Sequence, residues 1–138
     1  MALDVLADSD CAKRLQAGKL GRIALVDRDS KPLIFPVNYF FDEGVIAFRT
    51  APGTKLDLAP GSPAAFEIDG WDEAAGEGWS VIAKGIAHDF THPRYATSAR
   101  IHYWPVEPAA PGVRHHWIGI VVTEITGRRF GPAETTPD

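Results

Sequence analysis

Through most of the chain, apolar and polar positions alternate with a period of two, the pattern of half-buried strands. GRIALVD (Gly21 to Asp27) and PLIFPVNYFF (Pro32 to Phe41) flank the polar Arg28-Asp29-Ser30-Lys31 turn and predict a hairpin. Asp42-Glu43-Gly44 then turns into VIAFRT, where Val45, Ala47 and Arg49 alternate with Ile46, Phe48 and Thr50. These three strands are expected as an antiparallel meander. AAFEID predicts a fourth strand, WDEAAGEG a polar loop, WSVIAKGIAHDF (Trp79 to Phe90) a long strand, and HHWIGIVVTEITGRRF the closing strand.

Helical signals are fewer. Ser9 and Asp10 are candidate N-caps for CAKRLQAG, with Cys11, Ala12 and Leu15 facing inward and Gly18 fitting the C′ position. LDLA opens a short helix after VIAFRT, and RYATSARI predicts another after His92-Pro93, before the proline-rich connection WPVEPAAPGVR. Turn signals recur about every 8–12 residues, which points to a barrel or sandwich. About six strands suffice to close one small barrel and remove exposed edges. The expected class is mainly β with short helices, as one domain over residues 1–130. GPAETTPD is a polar tail, and residues 131–138 are expected to be disordered.

Composition narrows the function classes. With 138 residues the chain can bury one real core. A formal net charge of −4 argues against a nucleic-acid surface, though not against a local basic pocket. Cys11 is the one cysteine, which excludes an intramolecular disulfide and a thiolate metal cluster. The N-terminus lacks the basic and apolar regions of a secretory signal, and no segment reaches the ~20 apolar residues of a membrane span. A cytoplasmic domain is the expectation. No GxSxG elbow, Walker loop or paired CxxC is present. His88, His92, His102, His115 and His116 lack metal-binding spacing, and His115 and His116 on one strand point to opposite faces. No metal is expected.

The candidate chemistry gathers in VIAFRTAPGTKLDL. Pro52 and Gly53 make a tight strand-to-helix turn around which Arg49, Thr50, Thr54 and Lys55 converge. Two cations, two hydroxyls and the N–H groups of a helix start suit a phosphate, and ordinary surface charge at a strand end is the alternative. Pro36 cannot donate a ladder hydrogen bond, so its strand is either bulged or edge-exposed there. The backbone of Pro36, Val37 and Asn38 can then face a planar heterocycle, or the bend marks a barrel corner. Trp79 reads either as a core indole or as a cofactor wall, beside Ser80 and Val81. Glu67 reads as a solvated strand residue. No side chain stands out as a catalytic acid or base. Phe90, Tyr103, Trp104 and Trp117 add large apolar area, destined for a subunit interface or for the core.

GRIALVDRDSKPLIFPVNYFF, VIAFRTAPGTKLDL, AAFEID, GWSVIAKGIA and EITGRRF, in that order, resemble the pyridoxamine 5′-phosphate oxidase-like, flavin-binding split-barrel superfamily. The likeness covers about residues 10 to 130 and is nearer to its small flavin- or deazaflavin-binding members. It implies a six-stranded antiparallel split β-barrel, a homodimer with two sites at the subunit interface, and an oxidoreductase acting on a small-molecule substrate. FMN is the implied cofactor, with FAD or coenzyme F-420 as alternatives and a non-catalytic flavin carrier as another. The resemblance assigns the phosphate to Arg49, Thr50, Thr54 and Lys55, and the ring to Pro36, Val37 and Asn38. It assigns a ring contact, from the same or the partner subunit, to Trp79, Ser80 and Val81. Trp117 and Arg128 are placed near the cofactor or substrate, with Arg128 and Arg129 alternatively pairing across a dimer. Two departures matter. GRRFGPAETTPD does not match the phosphate-binding extension of true pyridoxamine-phosphate oxidases, so that oxidation is not expected. Ala51-Pro52-Gly53 stands where many flavin members carry a serine and a further basic residue.

Overall fold

The computed structural model of the protein describes residues 2–92, 100–106 and 116–132. Their elements are β1 (Ala2–Val5), α1 (Asp8–Ala17), β2 (Leu20–Val26), β3 (Pro32–Asn38), β4 (Phe40–Asp42), β5 (Val45–Thr50), α2 (Thr54–Leu58), β6 (Pro63–Asp72), β7 (Glu77–Asp89) and β8 (His116–Gly131). The strands form one antiparallel sheet in the order β3-β2-β6-β7-β8-β5-β4, with β1 added to β8. The sheet curls around a single inner core, the half-barrel of a split barrel. β3 and β5, far apart in the sheet order, approach one another without sharing a ladder.

Strand count and order differ from the sequence expectation: the described residues hold eight strands, not six. β1 is an addition, since ALDV is too short to carry a period. PLIFPVNYFF is two strands because Tyr39 leaves the ladder. Its N–H donates to the Lys19 carbonyl at 2.9 Å and its buried hydroxyl to the Leu15 carbonyl at 2.7 Å. The expected meander is therefore absent: β3 pairs with β2, whereas β5 pairs with β4 and β8. Burial pushes the Tyr39 phenol up to about 12. Edge-on contact with Phe66, at 4.7 Å between centroids, completes its setting.

α1 begins earlier than expected. Ala7 is its N-cap without a side-chain bond, and Asp8 and Asp10 lie in the first turn. Their charges suit the positive helix end in place of a cap. Cys11 and Leu15, one turn apart, are fully buried as expected. Gly18 follows the last helical residue with ordinary extended backbone, its N–H bonded to the Arg14 carbonyl. Glycine is needed because a methyl there would collide with the Tyr39 hydroxyl.

β6 and β7 extend into the expected polar loop and meet at a shorter turn, because tryptophans pack over glycines across the pair. Trp71 lies opposite Gly78, and Gly70 opposite Trp79. β5 is buried on both faces. Ile46 and Phe48 enter the inner core, while Val45 and Ala47 join a second cluster with Phe90, Ile101, Val106 and Trp117. Phe90 and Trp117 are thus core within the chain. Tyr103 stays 90% exposed. The expected helix over RYATSARI lies almost wholly outside the described residues, as do most of the proline-rich connection and the tail beyond Pro132.

Candidate functional site

The turn between β5 and α2 forms a concave site. Thr50, Ala51, Pro52, Gly53, Thr54 and Lys55 line a cleft of about 260 Å³, closed on one side by Phe35 of β3. Gly53 has φ 155°, a conformation side chains rarely adopt, so the glycine lets the chain reverse here. The Lys55 ammonium lies 4.9 Å from the Phe35 ring centroid. Thr50 is buried, its hydroxyl donating to the Ala51 carbonyl at 3.1 Å. α2 has only five residues, too short for the helix-start field expected from the sequence. The donors of this cleft are the Lys55 ammonium, the Thr54 hydroxyl and turn amides, a set that fits a phosphate, while the Thr50 hydroxyl proton is on the Ala51 carbonyl.

Arg49 stands apart from that lining. Alternation carries it to the outer face of β5, where its guanidinium donates to the Val106 carbonyl at 3.3 Å and lies 5.8 Å from the Trp117 ring centroid. Trp117 in turn stacks on His102 at 5.6 Å, and His102 bonds the Phe90 carbonyl through Nε2 at 2.8 Å. Segment 100–106 therefore holds the arginine from outside.

β3 links this turn to a second cleft. Among the described residues it pairs only with β2 and its register is unbroken, so Pro36 sits on an edge rather than at a bulge. Phe35 faces the turn. Asn38, three residues on, lines a cleft of about 710 Å³ with the end of α1, Tyr39, Phe40, Pro105 and Val106. Val37 is buried. The structure thus groups Pro36, Val37 and Asn38 with Thr50, Thr54 and Lys55 along one edge, with Arg49 and Trp117 behind.

Trp79, Ser80, Val81 and Arg128 lie elsewhere. Ser80 pairs with Arg128 near one end of β8, and Arg49 with Trp117 at the other. They stand eleven positions apart along β8, roughly 35 Å of chain path at the rise of a β-strand. Val81 is fully buried, and Trp79 is half-buried under the Arg14 guanidinium at 4.5 Å. Arg129 pairs within the chain, 3.8 Å from Asp4. Glu67 accepts from Arg22 at 3.0 Å; burial, and then Asp69, push its carboxyl above the ordinary range.

Three contributors escaped sequence reading. Phe35 closes the cleft, Val106 holds Arg49, and a polar row of Thr91, Asp89 and His116 lies at the same end of the sheet. Phe35 and Val106 act across long stretches of chain, and His116 meets Thr91 only through strand pairing, so no local spacing marks them. Among the described residues no cluster of three metal-ligating side chains occurs, and no helix is long and apolar enough to cross a membrane.

Comparison with known proteins agrees with this architecture. A family model described as pyridoxamine 5′-phosphate oxidase matches residues 7–129. An FAD-binding protein from Mycobacterium smegmatis is 34% identical, with a TM-score of 0.75 over 92% of this chain and 98% of its own. A Corynebacterium glutamicum protein named after pyridoxamine 5′-phosphate oxidase is 31% identical, with a TM-score of 0.78 over 95% of this chain and all of its own. An uncharacterized Mycobacterium tuberculosis protein is 32% identical over 106 residues, 70% of this chain and 69% of its own.

Proposed function

Because this chain belongs to the pyridoxamine 5′-phosphate oxidase family, we propose that it binds a flavin, FMN in the first instance, for hydride transfer to or from a small organic substrate. The observation that carries the reading is the cleft at the β5–α2 turn, whose lysine and threonines stand at one end of the edge of β3. When bound, the flavin supplies the hydride chemistry. The chain's own residues bind and orient. Lys55 and Thr54 hold the phosphate, Thr50 forms the floor beside them, and Arg49 adds positive field from behind. The edge of β3 at Pro36, Val37 and Asn38 lies along the ring, with the Asn38 amide offering both a donor and an acceptor. Protons for the substrate come from solvent in this reading.

A homodimer supplies what one chain lacks. Val26, Pro32, Pro63, Ala65 and Ile86 surround an open apolar hollow of about 460 Å³ on the outer face of the sheet. A second copy covers it in this reading, and brings Trp79, Ser80, Val81 and Arg128 to the opposite site. FAD is the second reading, favoured by the 34% identical Mycobacterium smegmatis protein that binds it. Coenzyme F-420 would use the same turn for its acidic tail.

The test is the absorbance spectrum and mass of the ligand retained by purified protein. A flavin mass, FMN or FAD, is expected; a protein without flavin and without affinity for either overturns the reading. Lys55→Ala is expected to cost ~1.5–3 kcal/mol of FMN binding, the range of a charge-assisted hydrogen bond, measured by fluorescence titration.

A further inference from the structure

At the end of the sheet that carries the turn, the inner face ends in a row of polar side chains. His116 pairs directly with Thr50 across β8 and β5. On the other side of β8, Asp89 pairs with Ile118 and the Phe90 N–H donates to the Trp117 carbonyl at 2.8 Å, which sets Thr91 opposite His116. Directly opposed residues share a face with Cβ atoms about 5 Å apart. Thr50, His116 and Thr91 therefore form one line. The chain after Thr50 crosses over this end and returns to β7: the Gly61 N–H donates to the Ala87 carbonyl at 2.8 Å, and the Ala87 N–H to the Ser62 carbonyl at 2.9 Å.

Bond accounting fixes the imidazole. The Thr91 hydroxyl gives its single proton to the Asp89 carboxylate, and Asp89 also accepts the Thr91 N–H at 2.9 Å. The Thr91 oxygen accepts the Trp117 N–H at 3.1 Å and lies 3.4 Å from His116 Nδ1. With the hydroxyl proton committed, Nδ1 meets that oxygen only as a donor. Nδ1 therefore carries the hydrogen, which leaves Nε2 as the ring's other bonding atom, and Thr50, the cross-strand pair of His116, lines the cleft.

We propose that His116 is a further ligand of the anion cleft, taking up a proton when a phosphate monoester binds and donating Nε2–H to it while Nδ1–H stays on Thr91. This rests on the flavin reading above. The charged or titratable groups on the elements around it are Asp89 at the end of β7, His92 beyond Thr91, Arg49 on β5, and Lys55 and Asp57 on α2. The proton comes from the buffer, so the uptake is measurable as such.

FMN and riboflavin differ by the phosphate alone, and calorimetric titration of each in two buffers of unequal protonation enthalpy tests the proposal. Near pH 7.5, FMN binding to the wild type is expected to take up protons and riboflavin binding to take up none. His116→Gln is expected to weaken FMN binding about tenfold, as for one charge-assisted bond, with no change for riboflavin and no proton uptake. Thr91→Val, which removes the relay but keeps the ring, is expected to reduce the uptake, and it serves if His116→Gln does not fold. Unchanged FMN affinity and uptake in these variants, or an equal loss for both ligands, overturns the assignment to His116 and leaves the cleft intact. A wild type that binds FMN no more tightly than riboflavin overturns the phosphate cleft itself, and this inference with it.

Discussion

The two faces of β5 are built on different terms. Inward, Ile46 and Phe48 join a core contributed by every long strand and by α1, sealed by continuous ladders. Outward, Val45 and Ala47 are covered by Phe90, Trp117 and the short segment holding Ile101 and Val106. One face is closed by the sheet itself, the other largely by a short segment lying outside the sheet. The contrast matters for the site because Thr50 belongs to the inner face and Arg49 to the outer. Their neighbours in space, and the interactions that place them, are different.

Substitution on each face sharpens this contrast. Phe48→Ala opens the inner core and is expected to cost ~3–5 kcal/mol by chemical denaturation, the range for a buried aromatic truncated where packing cannot collapse. Ile101→Ala removes the centre of the outer cover and is expected to cost ~2–3 kcal/mol, the low end for such a truncation, because a short segment relaxes into the gap. Hydrogen exchange distinguishes the two: Ile101→Ala should expose the amides of 101–106 while those of β7 stay protected. Equal loss of protection in both places would mean that the two faces form one cooperative unit.

A polar variant marks the seam between α1 and the inner core. Tyr39→Phe leaves the Leu15 carbonyl buried without its donor and is expected to cost ~1–2 kcal/mol. The wild-type phenol has a folded pKa raised from 10.0 to about 12, so its contribution is fully present below pH 10 and is lost as pH rises through about 12. The difference between wild type and Tyr39→Phe should therefore shrink over that interval in alkaline unfolding. The smallest effect belongs to the exposed Arg129–Asp4 pair, where Asp4→Asn is expected to change stability by ~0–1 kcal/mol. For the homodimer proposed above, Ile86→Glu places a charge in the outer apolar hollow and is expected to give a monomer in sedimentation velocity.

How much of this was legible in the sequence follows from the range of each interaction. The β5–turn–α2 unit was readable because Pro52 and Gly53 act within four residues of what they position. The burial of Cys11 and Leu15 was readable because one helical turn separates them. The division of PLIFPVNYFF was not: its alternation runs through Tyr39 unbroken, and the bonds that pull Tyr39 out of the ladder come from Leu15 and Lys19. The pairing of β5 with β8 was equally hidden, because a period of two says which face is buried and nothing about the partner. Within the site, the grouping of β3 with the turn came through the resemblance. The remoteness of Trp79 and Arg128 from Arg49 depends on register along β8, which only the folded chain displays.

The length of β8 has a consequence for synthesis. Its residues complete the ladders of β1, β5 and β7, which stand 27 to 114 positions earlier by their nearest and farthest ends. Until His116–Gly131 has left the ribosome, β5 and β7 each keep one open edge and β1 has no strand partner, among the described residues. Closure is thus a late, non-local event of the kind that slows folding. A nascent chain stalled just before β8 should be sensitive to protease and bound by chaperones, and releasing the last strand should protect it in a single step.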